Sequence, residues 1–201
     1  MQVAFNCYED EAKKQWVDEG VWLSLNTGNI FLTYNYRPFK AVKYVKEEDS
    51  FFHILTSSEL YIYPGENNPR VRWEKSGQRE LAGVDLKKAQ TYAADDYANV
   101  IKQVKGQIKN PLSDKNPIFA VKIGEMRAEK EKPDNIVIVD EKGVQIPLRL
   151  QKFGSLIKSL SKDQVIGHTA VLRFAQDLKE QVLYAVPLAV INNDDVIRFY
   201  Y

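Results

Sequence analysis

The stretch from Asp85 to Pro111, DLKKAQTYAADDYANVIKQVKGQIKNP, decides the fold class. Leu86, Ala89, Ala93, Tyr97, Ile101, Val104 and Ile108 recur at three- and four-residue intervals, the spacing that lines one face of a helix. Asp95 and Asp96 precede Lys102, Lys105 and Lys109, an order that suits the helix dipole, and Asn110-Pro111 supplies a stop. Gly106 marks an earlier end or a kink. One long central helix is therefore expected here, between two stretches with a different period.

Before it, a short amphipathic helix is expected from Asn6, with Glu9 completing a capping-box-like pair and Gly20 ending it. Val21 to Leu25 and Ile30 to Tyr36 flank Asn26-Thr27-Gly28-Asn29 and read as a hairpin. Short strands are then expected at Lys40 to Val45, Phe51 to Thr56, Leu60 to Tyr63 and Arg70 to Trp73. In the last of these, period-two alternation sends Val71 and Trp73 to one face and Arg70 and Arg72 to the other. Pro64-Gly65 and Asn68-Pro69 shape the turn between the last two strands.

After the helix, strands are expected at Ile118 to Ile123, Ile136 to Val139 and Val144 to Leu150, the latter two around the turn Asp140-Glu141-Lys142-Gly143. Pro147 cannot donate a ladder hydrogen bond, so its strand is expected at an edge or with a bulge. A short helix near Ser155 to Leu160 and strands at His168 to Phe174, Val182 to Ile191 and Val196 to Tyr200 complete the chain. The charge-rich segment Glu125 to Lys132 reads as an exposed loop or frayed helix.

The order strand-rich, helical, strand-rich makes the fold α+β, mostly antiparallel β meanders with one long central helix and a short N-terminal helix. The expected organisation is a strand-rich unit at 1–82, a helical connector at 83–116 and a second strand-rich unit at 117–201, with one continuous domain as the alternative. A length of 201 residues admits either division, since domains run to about 100–200 residues.

With 44% hydrophobic and 27% charged residues the chain can build a core. Its formal charge of +1, from 28 basic and 27 acidic residues, creates no global field toward nucleic acid or anionic membranes. One cysteine, Cys7, with His53 and His168, cannot complete a four-ligand structural zinc site. No metal and no cofactor is expected. The acidic beginning is unlike a signal peptide, and no apolar run reaches the roughly 18 residues of a membrane span. A cytoplasmic protein with no membrane partner is the expectation.

The catalytic motifs in the chain are incomplete. Pro133-Asp134 with Asp140-Glu141-Lys142 spells the outline of a metal-dependent nuclease, but the second part falls in a hairpin turn where such residues are common. Ser155-Leu156-Ile157-Lys158 and Ser159-Leu160-Ser161-Lys162 match Ser-x-x-Lys without its companion motifs. There is no nucleophile elbow and no phosphate-binding glycine loop. The acidic groups Asp95-Asp96, Asp194-Asp195 and Glu47-Glu48-Asp49 would do chemistry only if folding brought them together.

Two aromatic and basic clusters remain: Tyr34-Asn35-Tyr36-Arg37-Pro38-Phe39-Lys40, and Tyr61, Tyr63, Arg70, Arg72 and Trp73. Aromatics and arginines of this kind anchor protein partners or stack on bases. The expected contact surface is Tyr36, Arg37, Lys40, Tyr63, Arg70, Arg72 and Trp73. In it Trp73, Tyr63 and Tyr36 act as anchors and the arginines as directional contacts. The alternative is that these rings pack and nothing binds.

The strings Asn26-Thr27-Gly28, Asn35-Tyr36-Arg37-Pro38, Lys46-Glu47-Glu48-Asp49-Ser50-Phe51-Phe52, Tyr63-Pro64-Gly65 and Asn68-Pro69-Arg70-Val71-Arg72-Trp73 resemble uncharacterised bacterial proteins that accompany SWIM zinc-finger proteins. Val139-Asp140-Glu141-Lys142-Gly143 with Ile146-Pro147-Leu148 is similar in style. The resemblance implies an accessory role beside a zinc-finger partner or an associated ATPase, and supplies no catalytic residues. The expected function is a protein-binding or assembly subunit rather than an enzyme. The alternatives are a single-stranded nucleic-acid-binding β-barrel module, or a hydrolase using an acidic cluster.

Overall fold

The computed structural model describes residues 1–65, 67–128, 136–150 and 152–199. The chain divides into two compact units, Met1–Ala82 and Gly83–Phe199, so residues 83–116 are part of the second. Strands outweigh helices in a mixed α+β fold.

The first unit begins with strands, not the expected helix. β1 (Gln2–Asp10), β2 (Gln15–Leu23) and β3 (Ile30–Pro38) form an antiparallel sheet in that order. Residues Ala4 to Asp10 each pair with β2, which overrides the local capping pattern of Asn6 and Glu9. Asp10 shapes the reversal by accepting hydrogen bonds from Lys13 N at 3.1 Å and Gln15 Nε2 at 3.3 Å. Lys14 completes it in the left-handed region at φ 53°.

Gly20 ends no helix; it lies inside β2. A Cβ there would sit 2.5 Å from Thr33 Oγ1 and 2.7 Å from Trp22 Nε1. Those two atoms are joined by a hydrogen bond that Trp22 donates at 2.9 Å. Glycine is needed because an indole folds across its strand. The β2–β3 turn matches the sequence expectation: Ser24 Oγ accepts from Asn26 N and Thr27 N, and Gly28 takes φ 76°.

Lys40 to Val45 forms no strand. Phe39–Ala41 is a 3-10 turn, and both Tyr44 N and Val45 N donate to Ala41 O. Two small antiparallel ribbons follow. β4 (Ile54–Thr56) pairs with β7 (Gly77–Arg79), and β5 (Tyr61–Ile62) pairs with β6 (Val71–Arg72). Trp22, Phe31 and Val71 form a buried cluster on which Phe51, Leu55 and Trp73 pack.

In the second unit the expected long helix is two: α1 (Gly83–Gln90) and α2 (Tyr97–Lys109). Thr91 Oγ1 donates back to Lys88 O at 2.7 Å at the end of α1. Ala94 then leaves helical geometry to bridge Val121, donating to Ala120 O and accepting from Lys122 N, each at 2.9 Å. Asp96 caps α2 by accepting from Asn99 N at 3.0 Å. The interruption resets the phase, so the buried face reads Tyr97, Val100, Val104 and Gln107 instead of continuing through Ile101 and Ile108.

The remaining strands are β8 (Ile118–Lys122), β9 (Glu125–Ala128), β10 (Ile136–Val139), β11 (Gln145–Leu148), β12 (Thr169–Asp177), β13 (Val182–Ile191) and β14 (Val196–Arg198). They run in the order β8-β12-β13-β11-β10-β9, with β14 also paired to β13. A 3-10 segment (Lys152–Ser159) and α3 (Lys162–Val165) precede β12.

β11 is an inner strand, contrary to the edge expected from Pro147. It lies between β10, antiparallel, and β13, parallel. Pairing with β13 begins at Leu148, beyond the proline, so the missing N–H interrupts nothing on that side. The charged segment from Glu125 starts as β9, and its residues 129–132 lie outside the described residues, as do Asp134 and Tyr200. Among the described residues no helix is long and apolar enough to cross a membrane.

Candidate functional site

β3 sets out the site by alternation. Tyr34 and Tyr36 are two residues apart, share a face, and stack with ring centroids 6.0 Å apart and planes at 16°. Tyr34 Oη donates to Glu19 Oε1 at 3.0 Å, which fixes the first ring. The stretch Tyr61–Trp73 supplies the other half. Asn68, at φ 56°, uses the left-handed conformation that asparagine tolerates better than most residues. Leu32 N then donates to Pro69 O at 3.1 Å, and Arg70 pairs alongside Leu32 as a parallel bridge on β3.

This docking brings the two aromatic and basic clusters together. The Arg70 guanidinium carbon lies 5.2 Å from the centroid of Tyr63, 5.6 Å from Tyr36 and 6.0 Å from Tyr34. A cation over ring faces is attracted by their quadrupoles, worth about 0.5–1 kcal/mol at an exposed site. Arg70, Tyr36 and Tyr63 are exposed. Among the described residues no carboxylate or carbonyl accepts a hydrogen bond from Arg70. Nearby, Arg72 stands 4.9 Å from the Tyr61 centroid and 3.9 Å from Glu74 Oε1. Tyr34 and Tyr61 are thus partners in the group, although neither is in the contact set read from sequence.

Trp73 and Arg37 lie elsewhere than that set supposed. Trp73 turns with Val71 to the opposite face and packs edge-on to Trp22 at 5.0 Å. Arg37 is only 5% exposed. Its Nε and Nη2 donate to the two oxygens of Asp18, each at 2.8 Å, and Nη2 also reaches Cys7 Sγ at 3.3 Å. Glu47 Oε1 adds an ion pair at 3.6 Å. Alternation explains the difference, because Arg37 is one residue out of phase with Tyr34 and Tyr36. Lys40 is exposed on the 3-10 turn, whose Phe39 packs against Trp16.

The electrostatics mark the Arg37 group as structural. Burial raises the Asp18 carboxyl, but hydrogen bonds from Arg37, Cys7 and the Glu48 amide outweigh it and hold the group below its ordinary value. Burial and the adjacent Asp18 push the Cys7 thiol up to about 11, leaving it protonated and a poor nucleophile. Cys7, Asp18 and Glu47 have ligating atoms within 4.8 Å of one another. The Arg37 guanidinium already holds both Asp18 oxygens, so a cation there would meet a fixed positive charge.

The acidic groups are engaged locally. Asp96 caps α2 and accepts from Lys142 Nζ at 2.7 Å. Asp140 orders its turn by accepting from Lys142 N, Val144 N and Tyr97 N. Glu141, the middle residue of the nuclease-like string, pairs with Lys122 at 3.6 Å and is exposed. Asp194 N and Asp195 N both donate to Asn192 Oδ1, and Asp195 Oδ1 accepts from Val196 N. Both histidine nitrogens of His168 are hydrogen-bonded, to Gln90 Oε1 and Asp163 O.

No family model, no curated protein and no solved structure matches the chain.

Proposed function

We propose that the chain is a protein-binding or assembly subunit whose contact surface is the exposed tyrosine–arginine face of the first unit. The observation that carries the reading is Arg70, held over Tyr34, Tyr36 and Tyr63 with no carboxylate partner among the described residues. Stacking limits the freedom that a long side chain loses on binding, while its N–H fork remains suited to a carboxylate. The partner that fits is therefore a protein segment presenting an Asp or Glu side chain, with Tyr63 and Tyr36 as flanking apolar contacts and Arg72 as a second cation. Tyrosine and arginine are also the residue types enriched where interfaces concentrate their energy. An accessory role beside a zinc-finger protein is a specific form of this proposal.

Single-stranded nucleic acid is the less favoured occupant. Its bases would need free ring faces, whereas Tyr34 and Tyr36 stack on each other and on Arg70. Residues 1–82 also carry 12 acidic against 10 basic side chains, which disfavours a polyanion.

The test is quantitative capture. Wild-type chain, Arg70→Ala, Tyr63→Ala and a control in the second unit, Arg149→Ala, are immobilised at equal density against lysate of the source cells. The reading expects one protein recovered by wild type and by Arg149→Ala and lost with the other two, at unchanged melting temperatures. Equal recovery by all four would remove this face as the contact surface.

A further inference from the structure

The outer edge of β5, beside the Arg70 face, is open. Tyr63 N donates to Arg70 O at 2.9 Å, and the register pairs Tyr61 with Arg72 and Ile62 with Val71. Antiparallel pairs alternate between those that exchange hydrogen bonds and those that do not. With Tyr63 and Arg70 bonded, Ile62 falls in the second kind, and its N–H and C=O are aimed away from β6. Among the described residues no group answers them. The edge is also bare, with Leu60, Tyr61, Ile62 and Tyr63 each 40–56% exposed.

Sheets protect such edges with charge or coverage. β9, at the edge of the larger sheet, carries Glu125 and Arg127, which stand 3.7 Å apart. Residues 60–63 contain neither a charge nor a proline. Nor is β5 half of an isolated ribbon, since β6 is held to β3 by the Leu32–Arg70 bridge and by the Leu32 N–H on Pro69 O. A strand added outside β5 would extend a ladder already anchored in the three-stranded sheet.

The chemistry of the occupant follows from the two faces. Tyr61 and Tyr63 share a face with Arg72 and Arg70, and Ile62 shares the other with Val71. Glu59 accepts from Tyr61 Oη at 3.1 Å and Glu74 stands 3.9 Å from Arg72, whereas no acid pairs with Arg70 among the described residues. We infer that a segment of the partner protein adds to β5 as an antiparallel strand, with Asp or Glu beside Tyr61 and Tyr63 alternating with an apolar residue beside Ile62. The inference rests on the protein-binding role proposed for the Arg70 face and specifies how that face is read. A second copy of this chain fits worse, because its own residues 60–63 hold no acid, and pairing β5 with β5 leaves Arg70 without a carboxylate.

The probe is the capped peptide Glu-Val-Glu-Val-Glu, titrated into the full chain and followed by amide NMR shifts. In the added strand the valine N–H groups face β5 and the glutamate N–H groups face solvent. The peptide should bind saturably and shift the Ile62 amide. N-methylation of the valines should abolish binding, and N-methylation of the glutamates should leave it unchanged. Replacing Glu by Gln in the peptide should weaken binding about tenfold, the usual scale of a charge-assisted hydrogen bond, and Arg70→Ala should remove most of that difference. Proline is tolerated where the N–H of an edge strand faces solvent, so Ile62→Pro should fold by circular dichroism and bind neither peptide. Absence of saturable binding to wild type would overturn the inference, as would a wild-type dimer in sedimentation that Ile62→Pro dissociates. Binding that survives valine methylation, or a folded Ile62→Pro, would overturn strand addition and leave carboxylate capture by Arg70 standing. Equal binding of the Glu and Gln peptides, with the valine effect preserved, would instead refute the Arg70 reading and with it the acidic segment.

Discussion

Two arginines lie over tyrosine rings in different units of the chain, and their surroundings differ in one respect. Arg149, next to β11, is 3.9 Å from the Tyr184 centroid, and its Nη2 donates to Asp177 Oδ2 at 2.6 Å, with Glu180 at 4.0 Å. Arg70 is set over three rings and has no acid among the described residues. Arg149 is complete within its own unit, whereas Arg70 has the same aromatic support and no carboxylate partner among the described residues. Arg37 gives a third setting, buried and bidentate on Asp18. An arginine's role therefore depends on whether its donors are answered inside the fold, more than on the rings beside it.

The largest effect belongs to the buried member. Arg37→Met strands the Asp18 carboxylate in the interior, and urea unfolding should show a loss of about 3–5 kcal/mol, the usual consequence of removing one partner of a buried pair. A loss below about 1 kcal/mol would erase the distinction between Arg37 and the other two arginines. Gly20→Ala should cost about 1–3 kcal/mol through overpacking against Trp22 and Thr33, read by the same method. It should be partly rescued by Thr33→Ala, which removes the atom nearest the new methyl.

A pH dependence separates the two acid-paired arginines, Arg37 and Arg149, from Arg70. Asp18 and Asp177 both have carboxyl groups held below the ordinary value of 3.8, Asp177 at about 2 through the hydrogen bond from Arg149 and the amides of Glu180 and Lys179. A depressed folded-state value favours the native state above the unfolded value and loses that contribution as pH falls through the folded one. Stability should therefore decline below about pH 4. Carbon-detected NMR should find the Asp177 carboxyl titrating near 2 in wild type and returning toward 3.8 in Arg149→Ala. In Arg70→Ala the same titration should not move.

The smallest effects compare the half-buried Arg149 with the exposed Arg70 in stability alone. Arg149→Ala should cost at most about 1 kcal/mol, as solvent-accessible ion pairs do, and Arg70→Ala a similar or smaller amount for its cation–π contacts. A much larger loss for Arg70→Ala would make its tyrosine group a structural element and end its claim as a surface.

The sequence made the alternation of Val71 and Trp73 against Arg70 and Arg72 legible, because a period of two needs only the local chain. The β2–β3 hairpin was legible for the same reason, through Asn26-Thr27-Gly28-Asn29 and its flanking runs. What could not be read locally came from pairing across the chain. Gln2–Asp10 carries a plausible helix cap and becomes a strand because β2 is available to it. The helix at Asp85 breaks because Ala94 bridges β8, a partner many residues away, although Asp96 did carry a capping signal three residues before Asn99. Arg37 is contiguous in sequence with Tyr34 and Tyr36, yet a single step along β3 separates the interior from the Tyr34–Tyr36 face. The convergence of both clusters on Arg70 depended on Pro69 docking against Leu32, which no spacing rule contains.

The central claim is that Arg70, which has no acid partner among the described residues, takes a partner's carboxylate as its acceptor. Calorimetric titration of the captured partner into wild type, Arg70→Ala and Arg149→Ala tests it most directly. The account predicts an affinity loss of about tenfold or more for Arg70→Ala, near 1.4 kcal/mol, an affinity in wild type that weakens with added salt, and no change for Arg149→Ala. Equal affinity of all three chains, or a loss confined to Arg149→Ala, would contradict it.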